Sequence, residues 1–296
     1  MKAVSLVMLI MFLGIIAQAE MLKSTAVGKY FDRSRSDFRE REAMKELLND
    51  VVRSFNDLVF LDADDEKNPV MESIRIRYAE YNLVIKDISG GINLNFFPDA
   101  DLSDPGMAEF LFSGNSAEGF LRFRRNNGFA DNVSSWKVFL KEEALGAVVC
   151  YGWFSVYHAE AETCRMLAAS FGKPTEELFP LMNNMPLINV NTADTAILLP
   201  LLSRRSWQIN GAAAKSAALK NRLEQSSVTE GELRSILGLA ENHEVFRYLG
   251  VRTSFWAVSF KKGKYRMDAI IAAIPEKGSK TISHYTLIEG KLKHEF

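Results

Sequence analysis

Cysteine, histidine and net charge are all scarce in this 296-residue chain, and each scarcity removes a class of function. The two cysteines, Cys150 and Cys164, have neither metal-ligand spacing nor the density of a disulfide scaffold. One bridge in an oxidising compartment and two buried thiols both remain open. Histidine occurs four times. His158 lies near Glu160 and Glu162, but the chain has no His-Glu-x-x-His run and no Gly-x-Ser-x-Gly elbow, so it is not expected to be an enzyme. With 36 basic and 37 acidic residues there is no global field to attract nucleic acid or an anionic membrane. The acidic run Asp62-Ala63-Asp64-Asp65-Glu66 lacks the ligand periodicity and closing Glu of an EF-hand, and is expected to be an exposed turn. These residues imply no metal site, cofactor or small-molecule substrate.

Apolar residues are abundant: 47% of the chain is hydrophobic and 25% charged, enough for a sizeable core and two sub-domains. From Ala3 to Ala19 the sequence is almost wholly apolar, with Lys2 before it and Glu20, Lys23 and Lys29 after. Ala17-Gln18-Ala19 fits a small-x-small cleavage site, while the length, roughly 17 residues, sits at the lower limit for spanning a bilayer. The segment downstream favours a retained anchor. Between Met21 and Leu58 there is no proline and Gly28 is the only glycine. Phe38, Met44, Leu47, Leu48, Val51, Val52 and Phe55 recur at spacings of three and four, the signature of one helix face. An uninterrupted helix up to Leu58 would be on the order of 80 Å long.

Strand patterns flank a long helical stretch. Ile74, Ile76 and Tyr78 alternate with Arg75 and Arg77, and Leu83-Val84-Ile85 comes soon after, which predicts two strands. Ser254–Phe260, Tyr265–Ile274 and Thr281–Glu289 predict an antiparallel meander. Between them, helices are expected over Ala108–Arg125, Trp136–Cys150, Ser155–Ser170, Thr175–Met182, Ala193–Leu202, Ala212–Glu224 and Thr229–Leu237. Trp136, Trp153, Phe139 and Phe154 are expected in the core. The fold class is therefore α+β: a long N-terminal helix with an antiparallel sheet, interrupted by a large all-helical insertion domain. The corresponding segments are an apolar export or spanning segment 1–19, an amphipathic helix 20–58, a first α/β part 59–102, the insertion 103–240 and a second α/β part 241–296.

Two short runs, Ile92-Asn93-Leu94-Asn95 and Ile188-Asn189-Val190-Asn191-Thr192-Ala193, stand out within this plan. Asn191, followed at three residues by Asp194 and then by Ile197, Leu198, Leu201 and Leu202, is placed to cap a helix. Thr229 with Glu232 has the form of a capping box, and Thr175 precedes another acidic first turn. Asn93 and Asn189 are expected to bond backbone groups where the chain turns. With no nucleophile or base partnered nearby, Asn93, Asn95, Asn189, Asn191 and Thr192 are read as structural residues, and no catalytic residue is assigned.

In order along the chain, the apolar start, the long helix, Gly90-Gly91-Ile92-Asn93-Leu94-Asn95, Leu187-Ile188-Asn189-Val190-Asn191-Thr192-Ala193 and Leu249-Gly250-Val251-Arg252-Thr253-Ser254-Phe255 resemble the type II secretion system protein K family, also called general secretion pathway protein K. The resemblance implies a minor pseudopilin: a pilin-like helix anchored once in the inner membrane, carrying a periplasmic α/β domain with a helical insertion. It also implies partners, the I and J minor pseudopilins and the major pseudopilin, at the tip of a pseudopilus. Prepilin processing would then fall between Ala3 and Val4, with Ala3 where the family normally has Gly. Met8 stands where ordinary pilins have a Glu, as expected of a tip subunit with no neighbour above it to pair with a buried carboxylate. Calcium is associated with some pseudopilins, and no ligands are assigned for it here.

A rival reading starts from the same residues. Asn-x-Asn-Thr-Ala before an apolar helix also resembles the opening of helix-hairpin-helix DNA-binding modules, with Arg204 and Arg205 as phosphate contacts. The Gly-x-Gly hairpin that lets backbone approach a phosphate is missing after Leu202, so no nucleic acid is expected as a partner. An exported globular protein with a cleaved signal peptide is the other alternative.

Overall fold

The computed structural model describes residues 38–56, 69–152, 186–275 and 282–294 except 115, 128, 129, 131 and 253, together with 154–155, 182–183 and positions 21, 23, 29 and 35. The expectations for 3–19, for the acidic run 62–66, for His158, Cys164 and Trp153, and for nearly all of the helices predicted within 155–182 lie outside these residues.

Residues 38–56 form helix α1. Its apolar stripe falls on one face as the spacing demands: Met44, Leu47, Leu48, Val51 and Phe55 are buried. Phe38, expected on that stripe, is 65% exposed. The opposite face is solvated and carries pairs such as Lys45–Glu42 (2.9 Å) and Arg53–Asp50 (3.2 Å), whose exposure leaves them little energetic weight.

Helix α1 packs on a four-stranded antiparallel sheet of β1 (Val84–Asp87), β8 (Phe255–Lys262), β9 (Tyr265–Pro275) and β10 (Ile282–His294), in the order β1-β8-β9-β10. Side chains alternate across the sheet. Trp256, Val258 and Phe260 on β8, with Met267, Ala269, Ile271 and Ala273 on β9, close the core under α1. Phe55, Trp256 and Tyr285 meet edge to face at its centre, with centroid separations of 5.2 to 5.7 Å. Phe255, Ala272 and Ile274 point the other way into a second core. The meander thus lies where its alternation predicted, and Gly263, at φ +58°, supplies the left-handed residue its first turn requires.

The strand predicted at Ile74–Tyr78 is instead helical: α2 spans Pro69–Arg77. Five alternating residues fit either period, and a proline suits the first turn of a helix. Ile74 of α2 enters the core, whereas Ile76 is 68% exposed. Arg75 reaches back to donate to the Ile85 carbonyl on edge strand β1 (3.2 Å). At the opposite edge Asn56 of α1 brackets Tyr285 of β10, donating to its carbonyl (3.0 Å) and accepting from its N–H (2.7 Å). Both edges of the sheet are thereby partly closed against further strand pairing.

Between β1 and β8 the chain leaves the sheet. The excursion is mainly helical, with α3 (Asp99–Leu102), α4 (Pro105–Leu111), α5 (Ser116–Asn127), α6 (Leu198–Leu202), α7 (Ala212–Gln225), α8 (Glu230–Leu237) and α9 (Val245–Tyr248). It is not all-helical. Two-residue parallel pairs join β2 (Ile92–Asn93) to β3 (Val148–Val149), β4 (Phe154–Ser155) to β5 (Met182–Asn183), and β6 (Ile188–Asn189) to β7 (Leu249–Gly250). The helix expected over Trp136–Cys150 is broken into 3-10 turns at Val133–Trp136 and Glu142–Ala147 before β3, because β-branched Val148 and Val149 find an extended partner in β2. The single helix expected over Ala108–Arg125 divides at Phe112–Gly114, where Gly114 is left-handed (φ +55°) and Phe112 bridges to Leu140. The helices expected at Ala212–Glu224 and Thr229–Leu237 match α7 and α8. The capping box on α8 is present, and the Thr229 backbone N–H, then the Arg222 and Thr229 side chains, hold the Glu232 carboxyl down to about 2.

Candidate functional site

The asparagine runs turn out to be the hubs of two chain segments built to one plan. In the first, β2 pairs with β3, the Leu94 N–H donates to Val149 (3.2 Å), and the Asn93 Oδ1 accepts the Asn95 N–H (3.1 Å). The Asn95 amide then donates to the carbonyls of Ala130 and Cys150 (both 2.8 Å) and accepts the Ala130 N–H (2.9 Å). In the second, β6 pairs with β7, the Val190 N–H donates to Gly250 (2.8 Å), and the Asn189 Oδ1 accepts the Asn191 N–H (3.1 Å). The Asn191 amide donates to Val228 (3.0 Å) and Val251 (3.1 Å) and accepts the Val228 N–H (2.7 Å).

The correspondence extends along both segments. In each, a helix (α5, α7) ends just before the gripped residue (Ala130, Val228). A side-chain-capped turn starts just after it, at Asn132 or Thr229, and a short helical element leads into the closing strand. Residues 92–152 and 188–252 are therefore an internal structural repeat. In each copy one asparagine satisfies three backbone groups on segments that have no ladder to join, which is what buried backbone requires.

Asn93, Asn95 and Asn189 are buried and Asn191 is half-buried. All four bond groups distant in the chain or in their own turn, but Asn191 does not cap the following helix. Asp194 instead caps the 3-10 turn Thr195–Ile197 that runs into α6, through the Ala196 N–H (2.9 Å). The Asn191 amide is turned toward the Val228 and Val251 backbone, and Asp194 is closer to the local turn.

The copies differ at their first asparagine. Asn93 donates to the Gly152 carbonyl (3.4 Å), whereas Asn189 donates to the carboxylate of Asp87 (3.0 Å), at the end of β1. Asp87 is 5% exposed and also accepts from the Thr192 hydroxyl (2.9 Å) and the Ser89 N–H (2.7 Å). The Ser89 hydroxyl in turn accepts the N–H groups of Ser254 and Phe255 (both 2.8 Å), and its carbonyl accepts the Asn189 N–H (2.8 Å). The chain leaving the sheet, the second asparagine run and the chain returning to the sheet thus meet in one polar knot.

Gly90 is required at this crossing. A Cβ there would lie 2.3 Å from the Thr192 carbonyl carbon and 2.4 Å from the Ala193 nitrogen, both backbone atoms. Gly90→Ala should cost about 3 kcal/mol, at the upper end of overpacking effects. Gly231→Ala, on α8 with open space around it, should instead stabilise by about 0.5–1 kcal/mol. Denaturant unfolding of both variants checks the pair.

A second polar cluster joins the two copies. Arg204 donates to the Asp101 carboxylate at the end of α3, and the Tyr248 hydroxyl donates to the same carboxylate (2.6 Å). The guanidinium lies over Trp207 and Tyr248, 4.1 and 4.7 Å from their ring centroids. Burial first, then the Asp101 charge, push the Tyr248 hydroxyl well above its usual pKa, so it stays a donor. Arg204, a candidate phosphate contact by its sequence context, is therefore sequestered. Beside the first run, Arg124 donates to the carbonyls of Leu94 (2.7 Å) and Phe97 (2.9 Å) and to Asp99. Burial, with a smaller contribution from neighbouring Arg125, lowers it to about 10, which leaves it charged at neutral pH.

No family model and no curated protein matches the chain. Among the described residues no group of three or more His, Cys, Asp or Glu side chains could hold a metal ion, and no helix is long and apolar enough to cross a membrane. Ala3 and Val4 lie outside those residues. Asn93 and Asn95 fall in the first asparagine hub, and Asn189, Asn191 and Thr192 in the second run. Sequence reasoning missed Asp87, Ser89 and Asp101. A lone acid ending a strand gives little local signal, although only one residue separates Asp87 from Ser89-Gly90-Gly91.

Proposed function

We propose that the chain is a minor pseudopilin of the K type: a single-pass inner-membrane subunit that initiates and caps a periplasmic pseudopilus and so supports protein export across the outer membrane. The observation that carries this reading is the seating of α1 on an antiparallel sheet in which the chain between the paired strands β1 and β8 carries the two-copy helical body. The apolar run Ala3–Ala19 upstream of α1 supplies the membrane segment the reading needs. In this mechanism the membrane helix packs among other pilin-like helices, and the bulk of residues 88–254 blocks addition of a further subunit above it. The I and J minor pseudopilins and the major pseudopilin are the proposed partners, with neither substrate nor nucleic acid involved. Burial of Arg204 against Asp101 speaks against the helix-hairpin-helix alternative.

The test is the N-terminal residue of the mature chain in membranes. Val4 is expected, from prepilin-type processing after Ala3. A soluble product beginning at Glu20 would overturn the proposal in favour of an exported globular protein.

A further inference from the structure

We infer that the Asp87 knot is a positional lock that fixes the two-copy helical body at one angle to the α1-and-sheet unit. The chain passes between sheet and body at two crossings, one leaving β1 before β2 and one from β7 into β8, and Phe255, Ala272 and Ile274 on the sheet pack into the body's apolar core. The apolar contact is non-directional and the two crossings can act as a hinge, since a few loop residues can absorb a large change in φ and ψ. Side-chain bonds close it. Ser89 ties the outgoing crossing to the returning one through the N–H groups of Ser254 and Phe255. Asp87, which belongs to the sheet, takes the Asn189 amide and the Thr192 hydroxyl, which belong to the body. Gly90 lets the outgoing backbone lie against Thr192 and Ala193 without a side chain between them.

The repeat supplies an internal comparison. At the matching position of the first copy, Asn93 donates to Gly152 within its own copy, so the reach to a sheet carboxylate is particular to the second. The Asp101–Arg204 pair then holds the first copy to the second. Orientation passes from the sheet through Asp87 to the second copy, and through Asp101 to the first. Asp87 and Thr192 are positioning residues in this scheme. The inference stands whether or not the chain is a pseudopilin.

Electron paramagnetic resonance distances test it in the full-length chain, with spin labels at Arg53→Cys on α1 and Glu118→Cys on α5, both exposed sites, in a Cys150→Ala, Cys164→Ala background. With Asp87 intact a single narrow distance peak is expected. Asp87→Ala should lose that peak to a broad distribution while helical circular dichroism is retained. Thr192→Val, which removes one donor and keeps the shape of the side chain, should broaden the peak in the same direction and carries the test if Asp87→Ala does not fold. Leu219→Ala, a cavity inside the body, should lower stability and leave the peak narrow. An unchanged peak in Thr192→Val and Asp87→Ala, or equal broadening in Leu219→Ala, would overturn the lock.

Discussion

Replacing Arg204 by alanine is expected to destabilise the protein by about 3–5 kcal/mol, the usual cost of breaking one side of a buried ion pair. The side chains of Arg204 and Asp101 are 6% and 4% exposed, so removing the guanidinium leaves the Asp101 carboxylate buried without its counter-charge. The substitution also strips a cation from the faces of Trp207 and Tyr248. Tyr248→Phe should cost less, about 1.5–3 kcal/mol, because it deletes one hydrogen bond to a charged group and leaves the ion pair. The pair itself is not ideally satisfied: Arg204 Nη1 and Trp207 Nε1 have no hydrogen-bond partner among the described residues. An apolar double replacement, Asp101→Leu with Arg204→Met, should therefore lose much less than either single change. Urea unfolding of these variants decides it, and a loss below about 1 kcal/mol in Arg204→Ala would contradict the assigned burial.

The elements that were legible in the sequence are those whose period is long and uninterrupted. The stripe from Met44 to Phe55 and the alternation from Phe255 to Tyr285 each run for three turns or more of helix, or across whole strands, and each announces the face it buries. Capping was legible at Thr229 because both halves of the box lie within one helical turn of each other. The same logic failed at Ile74–Tyr78, where a five-residue alternation is shorter than the ambiguity between the two periods. It failed again at Trp136–Cys150, where Val148 and Val149 take their conformation from Ile92 and Asn93, more than fifty positions upstream.

The repeat itself was hidden for a related reason. The two copies share little beyond Ile-Asn-x-Asn, and their equivalent helices differ in length, with α5 and α7 spanning 12 and 14 residues. The residues that make them alike act through backbone groups, which carry no sequence signature. Asp87 was illegible because its side-chain donors, Asn189 and Thr192, are 102 and 105 positions away. The sequence did mark the asparagines as architectural, but only the structure says what they join.

The strongest consequence of that joining is that Asn95 and Asn191 should be nearly equivalent under mutation despite sitting in different sequence contexts. Each holds an N–H and a C=O of one residue and the C=O of another, Ala130 and Cys150 for Asn95, Val228 and Val251 for Asn191. Alanine at either position strands three backbone groups that no strand or helix can take up. At about 1–3 kcal/mol for each unsatisfied buried group, with water recovering part of the loss, Asn95→Ala and Asn191→Ala should each cost about 3–4 kcal/mol. Aspartate should not rescue them, since it keeps the acceptor for the N–H but turns both donors into a charge facing two carbonyls. Asn132→Ala, an exposed turn cap bonded to Ser134 (2.8 Å), provides the scale of an ordinary asparagine and should cost about 1 kcal/mol. If Asn191→Ala shifted the unfolding midpoint no further than Asn132→Ala, the grip on Val228 and Val251 would be incidental and the two segments would owe their shape to the apolar core alone.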